Sequence, residues 1–239
     1  MSSTSRRTLG NVGTVVIVAG GGPPAEVAAG HLRGLAAEGA VVIAADSGLE
    51  HARALGLGVS EVVGDMDSVD PETLVAAEEA GARIERHPAA KDATDLDLAL
   101  DAALARRPRR IVVVTGAGDR LDHTLAVALQ LAAPRTAGVA VEAWIGPAHL
   151  SVIRDTTGLR GEPGDLVSLL PLHGPASGVV TEGLVYPLRD EDLPAGSTRG
   201  VSNELAAPEA TVRLRSGVLV AVQPGRAGTH WRRGHSNRL

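Results

Sequence analysis

Short apolar runs that alternate with longer amphipathic stretches constrain this chain more than any other feature. The clearest runs are TVVIVA (14–19), AVVIAA (40–45), EVVG (61–64) and RIVVVT (110–115). Strands that are apolar on both faces are typical of parallel sheets covered by helices. Alternation of such strands with helices means crossover connections, which are right-handed. We therefore expect an α/β N-terminal domain with a mostly parallel open sheet.

The stretches between these runs have helical spacing. The predicted helices cover residues 25–38, 48–55, 71–80, 95–106 and 121–132, and a weaker apolar run at 82–85 predicts one more strand. In the fourth helix the apolar positions begin at Leu96, which places Asp97 and Asp101 on the opposite face. We expect these two carboxylates to be solvated.

The sequence pattern changes near Glu142, where the stretches with helical spacing stop. Short extended segments follow, separated by Gly and Pro: HLSVIR, DLVSLLPL, GVVTEGLVYPL, GVSNEL and ATVRLRSGVLVAV. Their spacing predicts a smaller all-β C-terminal sandwich domain. The predicted domains are therefore 1–145 and 146–223, followed by a disordered tail at 224–239.

Composition and charge exclude several classes of protein. The formal net charge is −5 with no massed basic segment, which argues against a nucleic-acid binder. The chain has no Cys, so disulfides, thiolate metal sites and a Cys nucleophile are excluded. There is no Phe, one Tyr and two Trp, so the core must be aliphatic, and we expect Trp144 and Tyr186 to be core residues.

No apolar run approaches the roughly 20 residues that a membrane-spanning helix needs. Arg6-Arg7 ahead of the first apolar run is a faint match to a twin-arginine signal. That run is better used as the first strand of the sheet, and its removal would delete a core element. The sequence therefore predicts a cytoplasmic protein.

Glycine and charged residues follow each predicted strand of the first domain. The segments that follow the strands, in chain order, are Gly20–Pro24, Asp46–Gly48, Asp65–Ser68, Lys91–Asp95 and Gly116–His123. In open α/β sheets, ligands bind at the carboxyl ends of the strands. We expect these five segments to converge on one edge of the sheet and to form the site.

Asp65 and Asp67 are the strongest candidates for metal ligands. Two carboxylates at positions i and i+2 of a tight loop can face one hard cation, and Mg²⁺ is bound by a few carboxylates together with substrate phosphates. Asp46 and Asp95 at neighbouring strand ends strengthen this interpretation. Alternatively, Asp67 begins a turn and Asp95 belongs to a helix cap.

The remaining charged candidates have similar alternatives. Lys91 and Arg120 could stabilise the charge of transferred phosphates, or be solvated surface charges. Asp122 and His123 could contribute to the site or only begin the following helix.

The first glycine loop also fits a second class of enzyme. Gly20, Gly22 and Ala25 match the dinucleotide-binding pattern G-x-G-x-x-G/A, and Asp46 lies where a ribose-binding acid would be expected. Two prolines lie inside this pattern, and an oxidoreductase would leave Asp65 and Asp67 without a role. A glycine loop that cradles phosphate suits ATP equally well, although no Walker A motif is present.

Five motifs in order resemble those of bacterial thiamine diphosphokinases. They are ADSG (45–48), GDMDS (64–68), KDATD (91–95), TGAGDRLDH (115–123) and GVSNE (200–204). The resemblance covers the chain from the first strand to about Val222. It implies a catalytic α/β domain that binds ATP and Mg²⁺, a thiamine-binding β-sandwich, and a homodimer with thiamine near the subunit boundary.

The resemblance also implies roles for individual residues. The metal and catalytic carboxylates are Asp65, Asp67 and Asp95, and the further catalytic residues are Arg120 and Asp122. The residues expected to bind ATP or thiamine are Asp46, Ser47, Gly48, Lys91, Thr94, Gly116, His123, Ser202 and Asn203. The expected reaction is attack of the thiamine hydroxyl on the β-phosphorus of ATP, with release of AMP.

Two other functions stay open from the sequence. A diphosphokinase acting on another alcohol, such as a hydroxymethylpterin, would use the same acidic loops and differ only in the β-domain. A catalytically silent nucleotide-binding regulator could share the fold, because fold alone does not determine function. GVSNE favours thiamine, and the intact acidic set favours an active enzyme.

Overall fold

The computed structural model describes residues 12–88, 93–116 and 120–225. Arg6-Arg7, Lys91 and the tail residues 226–239 lie outside the described residues. The chain divides into two compact units after Gly146. No helix among the described residues is long and apolar enough to cross a membrane.

The first unit alternates strands with helices. Its strands are β1 (Thr14–Ala19), β2 (Val41–Ala45), β3 (Glu61–Gly64), β4 (Arg83–Arg86), β5 (Arg110–Thr115) and β6 (Ala140–Ile145). Its helices are α1 (Glu26–Ala37), α2 (Gly48–Ala54), α3 (Pro71–Glu79), α4 (Asp95–Leu104) and α5 (Leu121–Leu131), followed by a short 3-10 helix (Pro134–Thr136).

These six strands lie in the order β6-β5-β1-β2-β3-β4, and each neighbouring pair is parallel. The central strands are buried because helices cover them, which is why TVVIVA and RIVVVT carry no polar alternation. Parallel pairing places the carboxyl ends of all six strands at the same edge. The loops that follow the strands therefore meet there.

Local sequence determines where the helices begin. Asp70 caps α3: its carboxylate accepts a hydrogen bond from the Thr73 amide at 2.8 Å, and Pro71 occupies the first helical position. Thr94 caps α4 through a capping box with Asp97. In α1, Leu32 and Leu35 are buried against the sheet, and full burial of one such side chain contributes about 1.5–3 kcal/mol.

One charged side chain is fully buried at the amino end of β3. Glu61 has no exposed side-chain surface, and its carboxylate accepts hydrogen bonds from Arg83 at 3.0 Å and from Arg106. A buried carboxylate requires such partners because its ionised form loses water. This pair lies at the edge of the sheet opposite the carboxyl ends, so it is structural.

The second unit contains strands and no helix among its described residues. The strands are β7 (Ala148–Ile153), β8 (Thr156–Arg160), β9 (Leu166–Pro171), β10 (Ala176–Glu182), β11 (Arg189–Leu193), β12 (Asn203–Glu204), β13 (Glu209–Arg213) and β14 (Leu219–Gln223). They pair in the orders β12-β9-β14-β7 and β11-β10-β13-β8, antiparallel throughout. One cluster of buried aliphatic residues draws on strands of both sets, with Val167 and Leu219 from the first and Val179 and Val212 from the second.

The predicted order of an α/β unit followed by a β-rich unit is confirmed. The sequence patterns missed β8 and β11. Both strands lie at the edges of their set, and TTGLR and RDEDL carry exposed polar or charged side chains in place of an apolar alternation. Edge strands tolerate such residues because they are paired on one side only.

Candidate active site

A cavity of about 590 Å³ lies at the carboxyl edge of the first unit's sheet. Its walls are formed by residues 19–22, 45–47, 94–96, 115–116 and Ile145, together with Arg120, His123, Thr124, Ala126, Val127 and Gln130. The loops after β1, β2 and β5 and the start of α4 therefore converge as the strand order requires. Helix α5 forms one wall.

Three carboxylates gather at this edge. Asp46, Asp65 and Asp67 each place an oxygen within 4.8 Å of the other two. Asp95 lies beside them, because a side chain added at Gly64 would meet Asp95 Oδ1 and Asp46 Cβ, each at 3.1 Å. A side chain at Gly64 would be crowded by these contacts and strained by the φ of +154°, so glycine suits this position. Glycine thus lets the acidic loops approach one another.

Asp46 is the most constrained member of this group. Its backbone has φ of 48°, in the left-handed region that Asp and Asn tolerate better than most residues. Its Oδ1 is buried without a hydrogen-bond partner among the described residues. Burial raises the pKa of Asp46, and the neighbouring carboxylates Asp95, Asp65 and Asp67 raise it further, against a hydrogen bond from the Ser47 amide.

An oxygen acceptor that is buried without a partner needs an explanation, and a cation is one. Carboxylate oxygens are also the ligands that divalent hard cations prefer. The donor set of this cluster therefore fits Mg²⁺.

Three loops around the cavity lie in close contact. A Cβ at Gly116 would lie 1.9 Å from the Gly22 carbonyl oxygen, and one at Gly20 would lie 2.4 Å from Ser47 Oγ. Thr115 Oγ1 donates to the Gly20 carbonyl at 2.7 Å. These contacts hold the glycine loop after β1 against the loops after β2 and β5.

Arg120 and Asp122 form a bidentate pair at the start of α5. Arg120 Nη2 donates to Asp122 Oδ2 at 2.6 Å, and Nε donates to Oδ1 at 3.3 Å. The hydrogen bonds from Arg120 lower the pKa of Asp122. Both side chains are exposed, and Arg120 lines the cavity while Asp122 does not. Asp122 therefore holds the Arg120 guanidinium in one orientation in the structure.

One of the two predicted residues of the second unit binds the backbone of an exposed tyrosine. Asn203 is buried, and its amide accepts from the Tyr186 amide at 3.0 Å and donates to the Tyr186 carbonyl at 2.7 Å. Ser202 is exposed with φ of 58°, and its amide donates to Ser168 Oγ at 3.1 Å. Tyr186 is 56% exposed, so the expectation of a core residue is wrong for Tyr186.

Comparison with known families accounts for both units. Residues 32–142 match the model described as "Thiamin pyrophosphokinase, catalytic domain", and residues 156–219 match "Thiamin pyrophosphokinase, vitamin B1 binding domain". The chain belongs to the thiamin pyrophosphokinase family. Its predicted function as a thiamine diphosphokinase is thereby confirmed, and the oxidoreductase suggested by the first glycine loop is wrong. Both descriptions name thiamin, which favours thiamine over another alcohol.

Relatives in the thiamin pyrophosphokinase family match along most of their length. The thiamine pyrophosphokinase of Bacillus subtilis (strain 168) is 28% identical over 212 residues, which span 88% of this chain and 98% of that protein. A crystal structure of the Bacillus subtilis thiamine pyrophosphokinase matches with a TM-score of 0.76 at 27% identity, over 89% of this chain and 99% of the other. That from Geobacillus thermodenitrificans matches with a TM-score of 0.73 at 25% identity, over 90% and 99%.

Some of the predicted site residues line the cavity, and others do not. Asp46, Ser47, Thr94, Asp95, Gly116, Arg120 and His123 line the cavity. Asp65 and Asp67 join Asp46 in the carboxylate cluster. Gly48 is buried behind the wall, where a Cβ would lie 2.0 Å from the Val18 carbonyl, so its glycine serves packing. Lys91 lies outside the described residues.

Two site features escaped the sequence patterns. Asp97 was expected on a solvated face, but its carboxylate accepts hydrogen bonds from Thr94, Gln130 and Arg135. Gln130 lines the cavity although it lies in an Ala/Leu-rich helix without a motif. The only available signal for Asp97 was its position three residues after a Thr, which is the spacing of a capping box.

Proposed function

We propose that the first unit binds ATP with Mg²⁺ and transfers its β,γ-diphosphoryl group to the hydroxyl of thiamine, releasing AMP. The observation that carries this proposal is the group of Asp46, Asp65 and Asp67, of which Asp46 lines a cavity partly walled by glycines. Diphosphoryl transfer requires positioning and charge neutralisation more than covalent chemistry. The cavity and the carboxylates supply these two requirements.

The metal would be held by Asp65 and Asp67 on one loop and by Asp95 at the start of α4. Asp46 lies within 4.8 Å of the first two, so it is a further ligand candidate, beyond its predicted role in binding substrate. Bound Mg²⁺ would neutralise charge on the β- and γ-phosphate oxygens. Relief of the repulsion among these carboxylates favours cation binding over the empty cluster.

The glycine loop after β1 and the loops after β2 and β5 would receive the nucleotide. Small residues bring backbone amides close to a ligand, as phosphate binding at the carboxyl ends of parallel strands requires. Residues 20–22, Ser47 and Gly116 line this part of the cavity. Arg120, oriented by Asp122, would place a permanent positive charge beside the transferred group, where such charge stabilises the transition state.

Thiamine would contact the second unit near Ser202. Three exposed apolar or aromatic side chains lie near the predicted contacts. Val201 precedes Ser202 in the chain, the Val185 amide donates to the Glu204 carbonyl at 2.9 Å, and the Tyr186 backbone is bound by Asn203. Asn203 holds the backbone of Tyr186 in place, so its contribution includes positioning this segment. An exposed aromatic ring offers a stacking surface for a heteroaromatic ligand. The proposed domains are thus 1–145 for ATP and magnesium and 146–223, a β-sandwich, for thiamine.

A homodimer in the cytoplasm completes this proposal. The apolar segments DLVSLLPL and GVLVAV do not by themselves call for a partner chain, because residues 218–221 are buried within the chain itself. Helix α5 gives better support, because Leu121, Leu125 and Leu129 lie on one face and are 71%, 55% and 47% exposed. A second copy of the chain would remove this stripe from water.

The products of the reaction test this function. Purified protein incubated with thiamine, ATP and Mg²⁺ should yield AMP and thiamine diphosphate in equal amounts, separated by chromatography. Omission of thiamine and chelation of the metal are the controls, and each should abolish AMP formation. Appearance of ADP and thiamine monophosphate, or equal turnover of a hydroxymethylpterin, would contradict the proposal.

A further inference from the structure

The first turn of α4 is held by more hydrogen bonds than its cap requires. Asp97 and Thr94 already satisfy each other: the Asp97 amide donates to Thr94 Oγ1 at 3.2 Å, and the Thr94 amide donates back to Asp97 Oδ2 at 3.4 Å. This exchange is a complete capping box, which stabilises a helix start without outside help. Any additional partner must therefore be explained by another role.

Two residues from outside the helix bind the same cap. Gln130 of α5 donates from Nε2 to Thr94 Oγ1 at 3.2 Å and to Asp97 Oδ2 at 3.0 Å. Because a carboxylate only accepts, the amide nitrogen must face Asp97. Arg135 donates to the other carboxylate oxygen of Asp97 and, at 2.9 Å, to Asp101 Oδ1.

The clamped turn carries a proposed metal ligand. Asp95 follows the cap residue Thr94 directly, and its Oδ1 lies against Gly64 near Asp46. Thr94, Asp95 and Gln130 all line the cavity. A shift of the first turn would therefore move Asp95 relative to Asp65 and Asp67, which belong to a different loop.

Arg135 also adjusts the charge of this turn. Asp95, Asp97 and Asp101 lie within two turns of α4, and Asp97 and Asp101 both bind Arg135. The guanidinium offsets the two carboxylates that do not line the cavity.

We propose that Gln130 is a positioning residue, which couples α5 to the cap of α4 through Thr94 and Asp97 and thereby fixes Asp95 at the metal cluster. This inference rests on the proposed function, since it requires Asp95 to bind the metal. Outer partners of metal ligands commonly change metal affinity by about 10–100-fold when removed. Gln130 acts on Asp95 through Thr94 and Asp97 and not directly, so we expect a change near the lower end, about tenfold.

Metal affinity of the whole protein tests this proposal without relying on turnover. Mn²⁺ binding is measured by the electron paramagnetic resonance of the free ion, in the presence of α,β-methylene-ATP, in which the bond to be cleaved is blocked. Gln130→Met removes the amide and keeps an unbranched side chain with good helix propensity. It should raise the Mn²⁺ dissociation constant about tenfold, with the far-ultraviolet circular dichroism spectrum unchanged.

Two further variants separate positioning from general weakening of the helix. Asp101→Asn removes the other carboxylate that binds Arg135 but leaves the cap intact, so its Mn²⁺ affinity should equal that of the wild type. In an Asp95→Asn background, Gln130→Met should cause no further loss, because its effect passes through Asp95. An additive effect there, or an equal loss in Asp101→Asn, would overturn the proposal.

Mn²⁺ binding by the wild type and by Asp95→Asn distinguishes failure of the positioning role of Gln130 from failure of Asp95 as a metal ligand. If the wild type binds Mn²⁺ and Gln130→Met binds it equally well, the positioning role is wrong and the proposed function stands. If Asp95→Asn binds Mn²⁺ as tightly as the wild type, the metal ligand itself is wrong, and the inference falls with it.

Discussion

Replacement of Asp46 by Asn should stabilise the metal-free protein while impairing the metal-bound one. The Asp46 carboxylate has oxygens within 4.8 Å of both Asp65 and Asp67, and repulsion between unit charges at this distance is about 1 kcal/mol in water-like surroundings. Loss of two such repulsions gives about 2 kcal/mol. Asn also accepts the φ of 48°, so the backbone adds no strain.

The stability gain from Asp46→Asn should depend on pH. The pKa of Asp46 is raised above the ordinary value of an aspartate, chiefly by burial, so the folded protein holds the proton to a higher pH than the unfolded chain does. The protonated group's contribution to the free energy of unfolding is complete below the pKa of the unfolded chain. It is lost as the pH rises through the raised pKa of the folded protein. The gain from Asp46→Asn should therefore be largest at neutral pH and disappear in acid.

The assay is thermal unfolding in EDTA and in Mg²⁺ with α,β-methylene-ATP. In EDTA at pH 7 the midpoint of Asp46→Asn should exceed that of the wild type by about 4–8 °C, given about 2–4 °C per kcal/mol for a chain of this size. With metal and nucleotide the order should reverse, because the variant binds them more weakly. A lower midpoint in EDTA, or an equal gain at pH 3.5, would refute the electrostatic account.

Three further predictions concern single side chains. Asp67→Asn should reduce kcat/KM by about 10²–10³-fold, the loss typical of one electrostatic group, with little change in the thermal midpoint. Its matched control is Asp70→Ala, which removes the cap of α3. This control should lower the free energy of unfolding by about 1 kcal/mol and leave kcat/KM unchanged. Glu61→Gln should cost about 3 kcal/mol in urea unfolding, because Arg106 loses its ionised partner; unchanged stability would show that the pair is dispensable. Asn203→Ala should cost about 1–3 kcal/mol and raise the KM for thiamine more than that for ATP, since it frees the Tyr186 backbone; equal changes in both KM values would argue against a thiamine-side role.

The sequence predicted the first unit closely for a physical reason. Strands covered on both faces need continuous apolar runs, so β1, β3 and β5 have the bounds expected from TVVIVA, EVVG and RIVVVT. The carboxyl ends of parallel strands share one edge, and this rule alone placed Asp46, Asp65 and Asp67 together. The edge strand β11, which is charged along most of its length, leaves no such pattern.

The side-chain contacts of the site were beyond sequence patterns. The bonds from Gln130 and Arg135 to Asp97 join positions 33 and 38 residues apart, and no spacing rule connects them. Tyr186 illustrates the same difficulty, because its exposure depends on how Asn203 holds the neighbouring backbone. Contacts between distant elements are determined by the packing of α4 against α5 and of separate loops, which single-sequence periodicity does not encode.

The fate of a labelled phosphate tests the central claim most directly. ATP carrying ³²P at the β-position is mixed with thiamine, Mg²⁺ and enzyme, and the products of the first turnover are separated. Transfer of an intact diphosphoryl group predicts that all transferred label appears in thiamine diphosphate, with unlabelled AMP and no thiamine monophosphate at any time. Label found in ADP, or thiamine monophosphate formed before thiamine diphosphate, would contradict the account.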